Sequence, residues 1–249
     1  MKVLLTGCNG NMGRMVHEVI AETDGMEIVA GVDALSQKSD GYPVFPNYEE
    51  CNVDADVIID FTHFSVVPEL LDYAFKTKTP VVICTTGLDE DALAKIDKYA
   101  KSISIFRSGN MSLGINLLID LVKKAASILG SAYDVEIIEK HHNKKVDSPS
   151  GTAYMIAEEI NEEFNNSKDY VYGRYGNDTK RDKNEIGIHA VRGGTIVGEH
   201  SVIFAGADEV IEVKHNANSK KVFAQGAVKA AEFLATKENG LYDMNDIFK

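Results

Sequence analysis

The chain has 249 residues, with 26 Lys+Arg against 38 Asp+Glu and a formal net charge of −12. Hydrophobic residues make up 44% and charged residues 26%, ordinary globular values that exclude wholesale disorder. The acidic balance argues against non-specific binding to nucleic acid or to an anionic membrane surface, but it describes the whole surface and does not exclude anionic small molecules. The length allows one large domain or two smaller ones. No apolar run approaches the roughly 20 residues that span a bilayer. The N-terminus enters a strand at once, without the basic leader of a signal peptide. Cys8, Cys51 and Cys84 are odd in number and contain no CxxC pair. That argues against a disulfide scaffold or a cysteine zinc site and fits a reducing cytoplasm.

Lys2–Thr6 is a short apolar run, followed by a Gly-rich turn and a helical pattern through Met15, Val16, Val19 and Ile20. Glu27–Val32 predicts a second strand ending at Asp33, and Val57–Phe61 a third. A helix near Val66–Phe75, a strand at Pro80–Cys84, a helix near Asp89–Ala100 and a strand at Ile103–Phe106 follow. Continuous apolar strands separated by helices predict a parallel sheet covered on both faces, a Rossmann-like doubly wound α/β domain. Leu113–Leu129 predicts a long helix, Val135–Glu139 a strand and Ala153–Phe164 a helix. The tract 165–184 is polar. Ile186–Val191, Thr195–Phe204 and Glu209–Val213 are β-rich, with Gly193-Gly194 and Gly206-Ala207-Asp208 as expected hairpin turns. This predicts a smaller α+β domain with a mostly antiparallel sheet and helices on one side. A last helix is expected near Val222–Leu234. The expected division is 1–111 with 217–249 as a dinucleotide-binding domain, and 112–216 as an inserted substrate-binding and oligomerisation domain.

The segment Gly7-Cys8-Asn9-Gly10-Asn11-Met12-Gly13 lies between the first strand and the first helix. Residues without Cβ let backbone N–H groups approach a pyrophosphate, and the helix N-terminus adds partial positive charge. Glycines alone also make plain tight turns, and a methionine-derived methyl donor uses a similar loop. Asp33, at the end of the second strand, is placed to reach a ribose hydroxyl; an end-of-strand cap is the other reading. A carboxylate repels a 2′-phosphate. Ala34 and Leu35 follow it, and the nearest cation in sequence is Lys38. The expectation is that NADH serves at least as well as NADPH.

Lys140-His141-His142-Asn143-Lys144-Lys145 concentrates cationic residue types in an acidic chain, and Asp147-Ser148-Pro149-Ser150-Gly151-Thr152-Ala153 leads into a helix. Ser148 suits the cap and Pro149 the first turn. Backbone N–H groups of Gly151 and Thr152 at the helix end, with the lysines, suit a small anion, especially a carboxylate. A histidine beside them suits a general acid. The competing readings are a solvated basic loop, a metal site and a Schiff-base lysine. Adjacent residues on an extended segment point opposite ways, which weakens the metal reading. No residue marks a partner for a Schiff base.

With these residues in place, the sequence resembles the 4-hydroxy-tetrahydrodipicolinate (dihydrodipicolinate) reductase family. The resemblance rests on Gly7–Gly13, Asp60-Phe61-Thr62, Thr85-Thr86-Gly87 and Asn110-Met111-Ser112-Leu113-Gly114. It continues through Glu139-Lys140-His141-His142, Lys145 to Ala153, Arg192-Gly193-Gly194, Val197-Gly198-Glu199-His200 and Gly240 to Met244. The paired His, Lys and Asp-x-Pro-Ser-Gly-Thr-Ala segment is its most specific part.

The resemblance implies reduction of the cyclic product of dihydrodipicolinate synthase, with loss of water, in lysine and diaminopimelate biosynthesis. It implies a hydride from NADH or NADPH, His141 as proton donor and Lys145 in substrate activation and binding. It implies that His142, Gly151 and Thr152 hold the carboxylates of a small dicarboxylate substrate. Gly7, Cys8, Asn9, Gly10, Asn11, Met12, Asp33, Cys84, Thr85, Thr86, Ser108, Gly109, Asn110 and Met111 would line the dinucleotide, with Phe61 and Thr62 near the nicotinamide. A homotetramer follows from the same resemblance. No metal is implied. Cys84, Asn143 and Ala34 depart from the commoner residues at their positions, and Ala34 supports the use of NADH. Among the other histidines, His17, His189 and His200 read as structural; His63 and His215 remain open between site and framework roles. A different nicotinamide-dependent oxidoreductase would not need the Lys140–Thr152 segment, and a non-catalytic redox sensor would bind NADH without turnover.

Overall fold

The computed structural model describes residues 1–35 and 41–248, so Lys38 lies outside the described residues. The first element is β1 (Lys2–Thr6), followed by α1 (Asn11–Ala21), β2 (Glu27–Val32), β3 (Val44–Phe45) and β4 (Val57–Asp60). Next come α2 (Val67–Thr77), β5 (Val81–Ile83), α3 (Glu90–Tyr99), β6 (Ser104–Arg107) and α4 (Leu113–Leu129). The chain continues with β7 (Asp134–His141), α5 (Gly151–Glu162), β8 (Asp169–Tyr172), β9 (Glu185–Arg192), β10 (Gly198–Ala205) and β11 (Val210–Ala217). It closes with α6 (Lys221–Leu234), β12 (Gly240–Tyr242) and α7 (Met244–Ile247). Two compact units result, Met1–Leu113 with Lys220–Lys249, and Gly114–Ser219.

In the first unit, seven parallel strands lie in the order β12-β6-β5-β4-β1-β2-β3. Successive strand residues serve opposite faces. Val3, Leu5, Val57, Ile59, Val82 and Phe106 pack with Val16, Val19 and Ile20 of α1 and Ala224, Ala227 and Ala231 of α6. Leu4, Ile58, Val81, Ile83 and Ile105 pack with Leu70, Leu71 and Ala74 of α2 and Ile96 of α3. Both faces are therefore covered, which is why these strands read as unbroken apolar runs. The order reverses between β1 and β4, the switch point at which open α/β sheets form ligand crevices.

The second unit holds a five-stranded sheet in the order β11-β10-β7-β9-β8. The expected antiparallel pairing joins β10 to β7 and to β11, while β9 pairs in parallel with β7 and with β8. Ile115, Leu118, Ile119 and Val122 of α4 and Ile156, Ala157 and Ile160 of α5 pack on one face, against Val135, Ile137, Ile188, Val202 and Phe204.

Several expectations change. Gly193-Gly194 is not a hairpin between neighbours, because β9 and β10 flank β7. The turn instead arches over the end of β7, where Gly193 N donates to His141 O (2.9 Å) and Asn143 N donates to Gly194 O (3.2 Å). Ser148 is not the helix cap: α5 starts at Gly151, and Ser150, in an extended conformation, accepts from Ala153 N at 3.2 Å. The side-chain oxygen must lie next to the first free amides to do this. Strand β7 also runs two residues further than expected, to His141.

Candidate active site

The expected dinucleotide residues fall in segments at the C-terminal ends of parallel strands in the first unit. Gly7 has φ +74°, and a Cβ there would lie 2.5 Å from Phe61 O. A Cβ on Gly13 would lie 2.2 Å from Gly7 O, whereas one on Gly10 would meet only Gly7 O, at 3.2 Å. The loop is thus folded onto the end of β4 by its outer glycines and is open at its middle one. Asn9 N donates to Asp33 Oδ2 (3.0 Å) and Leu35 N to Asp33 Oδ1 (3.0 Å), which fixes the carboxylate beside the loop. A cleft of about 400 Å³ is lined by Gly7, Asp33, Ala34, Tyr48, Phe61 and Thr62, among others. His63 also lines it and caps the following turn through Nδ1. Burial and then the Asp33 charge push the Cys8 thiol up to about 11, so Cys8 packs as a neutral group. The Cβ-free cradle and the strand-end carboxylate fit a dinucleotide.

Asp60 ties these strand ends together from below. Its Oδ1 accepts from Thr6 Oγ1 (3.0 Å), Thr62 N (3.0 Å) and Thr62 Oγ1 (2.6 Å), and its Oδ2 accepts from Thr85 Oγ1 (2.6 Å). Thr85 is therefore a buried anchor, and Cys84 beside it is also buried. Thr86 and Gly109 are exposed. Ser108 Oγ donates to Asn110 O (3.0 Å), Ser112 N donates to Asn110 Oδ1 (2.8 Å), and Met111 is buried. A Cβ on Gly226 of α6 would lie 1.6 Å from Met111 O, so this loop rests directly on that helix.

In the second unit, strand alternation divides the cationic run. Lys140 turns away from the face that buries His141, and Lys140 Nζ pairs with Glu199 Oε2 at 3.1 Å. His141 is buried, and its Nδ1 lies 2.6 Å from Glu139 Oε2. Glu139 is fully buried, and it accepts from Arg192 Nη1 at Oε2 (2.8 Å), Arg192 Nη2 at Oε1 (2.8 Å) and Ser150 N at Oε1 (3.0 Å). Burial opposes the charged Glu139, but the bonds from Arg192, His141 and Ser150 outweigh it and hold the carboxyl below its usual range. Burial lowers the His141 pKa; the Glu139 bond and charge raise it, and the Lys145 and Arg192 charges lower it.

Lys145 Nζ pairs with Asp147 Oδ1 at 2.8 Å, and the Gly151 N–H also helps to hold the Asp147 carboxyl low. The expected anion groups thus meet, with the chain's own carboxylate already on two of them. His142 Nδ1 is buried without a hydrogen-bond partner among the described residues. Thr152 follows Gly151 in the first turn of α5. His200 lies 5.2 Å from His141, ring to ring, with its Nε2 3.2 Å from Ser150 Oγ. Among the described residues no cluster of three or more His, Cys, Asp or Glu could hold a metal ion, and no helix is long and apolar enough to cross a membrane.

Two family models match the chain, "Dihydrodipicolinate reductase, N-terminus" over residues 1–111 and "Dihydrodipicolinate reductase, C-terminus" over residues 114–248. The chain belongs to the dihydrodipicolinate reductase family. The 4-hydroxy-tetrahydrodipicolinate reductase of Caldanaerobacter subterraneus subsp. tengcongensis is 52% identical over 249 residues, covering 100% of this chain and 98% of that one. The enzyme of the same name from Clostridium novyi is 50% identical over 248 residues, with the same coverage. A dipicolinate-bound dihydrodipicolinate reductase from Paenisporosarcina sp. TG-14 shares the fold, with a TM-score of 0.79 at 24% identity over 98% of each chain. The protein is an oxidoreductase of this dihydrodipicolinate reductase family.

Sequence reasoning did not single out Glu139 or Arg192 as partners of His141. A strand carried to His141 places residues 139 and 141 on one face, and that alternation was the available signal. Tyr48 lies in a segment without a motif, and no sequence pattern marks it as a cleft residue.

Proposed function

We propose that this chain reduces 4-hydroxy-tetrahydrodipicolinate to tetrahydrodipicolinate, with loss of water, in lysine and diaminopimelate biosynthesis. The observation that carries the proposal is the grouping of His141, His142, Lys145 and the α5 N-terminus at the end of β7. A dicarboxylate needs two anion sites. Lys145 with the Gly151 and Thr152 backbone suits one carboxylate, and the unpartnered His142 Nδ1 supports a role for that ring in holding the other. Asp147 shows that a carboxylate fits against Lys145 and Gly151, and substrate would take its place.

The 1–111 and 217–249 segments would bind the dinucleotide and 112–216 the substrate. Gly7–Met12, Asp33, Cys84–Thr86 and Ser108–Met111 would hold NADH or NADPH, with Phe61 and Thr62 beside the nicotinamide. The bound dinucleotide supplies a hydride. Reduction of a conjugated imine builds negative charge in the ring, and His141 donates the proton that quenches it, while Lys145 holds and polarises the substrate. Asp33, with Ala34 after it, favours a free ribose hydroxyl, so NADH serves at least as well as NADPH. The same reading includes a cytoplasmic homotetramer.

The test couples the chain to dihydrodipicolinate synthase with pyruvate and aspartate semialdehyde and follows NADH absorbance. Oxidation that depends on the synthase is expected; none above background rejects the proposal. His141→Ala should lower kcat far more than it raises KM, and Lys145→Ala should damage both. A hundredfold preference for NADPH in kcat/KM would overturn the cofactor assignment.

A further inference from the structure

His141 is held by a group that is itself held. Glu139 and His141 are two residues apart on β7 and so share a face. Arg192, at the register position of His141 on β9, reaches back to Glu139 with both terminal nitrogens. We infer that Arg192 and the buried Glu139 form a positioning pair that fixes which ring nitrogen of His141 carries the transferable proton and how firmly it is held. The inference rests on His141 being the proton donor.

The hydrogen-bond count carries it. Glu139 receives three bonds, two from Arg192 and one from Ser150 N, and its fourth close contact is His141 Nδ1 at 2.6 Å. An ionised carboxylate has about four acceptor sites and no proton of its own to give. Nδ1 must therefore be the donor in this contact, whether the ring is neutral or charged. The proton that comes and goes is then on Nε2, and a neutral His141 is the Nδ1–H tautomer. The ring orientation is set by the same bond.

The charges divide the second task. A buried carboxylate alone would grip an imidazolium and make it a weak acid. Arg192 offsets that charge while keeping Glu139 ionised. The other groups facing the ring are Lys145, whose charge also opposes imidazolium, and His200 from β10. Burial, and then the His141 charge, hold His200 down at about 3, so it stays neutral. His215, the register partner of His200 on β11, is likewise lowered by burial. Glu139 thereby sets the ring orientation and raises its proton affinity, and Arg192 moderates that affinity.

Two measurements test this. In the intact protein, the nitrogen-15 chemical shifts of labelled His141 above its pKa should report the Nδ1–H tautomer. In the coupled assay, the loss of kcat/KM at high pH marks deprotonation of the donor. Glu139→Gln should move that alkaline limb down by about one unit or more and cut kcat at least tenfold, with substrate KM changing less than threefold. Arg192→Met should move the limb upward, and Glu139→Asp should restore part of the glutamine loss. An Nε2–H tautomer in the unmodified protein overturns the inference, and this holds even if the variants do not fold. Limb shifts in the same direction for Glu139→Gln and Arg192→Met also overturn it. Unchanged kcat in His141→Ala would refute the donor assignment itself, whereas the tautomer is read independently of activity.

Discussion

The three loop glycines give a prediction that separates packing from ligand binding. At Gly13, an added Cβ would meet Gly7 O at 2.2 Å and Cys8 Cα at 2.7 Å, both backbone atoms that cannot rotate away. Helix α1 would have to move off the loop, and overpacking of this kind costs about 1–3 kcal/mol. At Gly10 the backbone has φ −70° and ψ 168°, which alanine adopts freely, and the nearest atom is Gly7 O at 3.2 Å. A glycine-to-alanine change at such a position can even stabilise, by roughly 0.4–1 kcal/mol, through the unfolded chain. On the proposed function, this loop holds the pyrophosphate, and the added methyl group would crowd it there. Losing one hydrogen bond to a charged phosphate costs about 1.5–3 kcal/mol, or roughly tenfold to a hundredfold in affinity.

Gly13→Ala is therefore expected to lower Tm by roughly 2–10 °C. Gly10→Ala should leave Tm within about 3 °C of the unmodified protein and raise the NADH Kd at least tenfold. Thermal unfolding without ligand and NADH titration by fluorescence measure the two quantities separately. Equal destabilisation by both variants, or unchanged NADH affinity in Gly10→Ala, would refute this division of labour.

Asp147→Asn should lower substrate KM by roughly two- to fivefold, the scale of one exposed ion pair, because Lys145 no longer has a competing carboxylate. A raised KM in steady-state assays would mean that Asp147 helps to build the site. His200 carries a pH prediction. Its folded pKa of about 3 lies below the ordinary 6.5, so the unfolded chain takes up a proton that the folded chain does not. Stability from this residue is present above pH 6.5 and is lost as pH falls toward about 3. His200→Gln should flatten that part of the stability–pH curve in urea denaturation, and an unchanged slope counts against the assignment.

The parallel sheet was legible because both of its faces are buried, so β1, β4 and β5 appear as plain apolar runs. The outer glycines of the loop were legible because backbone contacts at Gly7 and Gly13 leave no room for a side chain. Other features left weaker marks. Strands β3 and β12 have two and three residues, too few to show a period, and β8 is a four-residue edge strand within a polar tract. Ending β7 at Glu139 hid the pairing of residues 139 and 141 and made Lys140–Lys145 look like one basic patch. Carrying the strand to His141 sends Lys140 to the opposite face.

That division changes the meaning of the charge. The chain is acidic by 12 charges, yet the cations of the candidate site meet carboxylates of the chain itself. Lys140 pairs with Glu199, Arg192 with Glu139 and Lys145 with Asp147. These pairs are unequal. Glu139 is fully buried with all its acceptor positions in use, so displacing it would strand Arg192 and release His141. Asp147 has 56% of its side chain exposed and can move into water at little cost. A dicarboxylate entering this site should therefore exchange with Asp147 and leave Glu139 in place. On the proposed function, the anion affinity of the site would be set by how easily that one residue leaves Lys145, and the proton affinity of His141 by a pair that stays put.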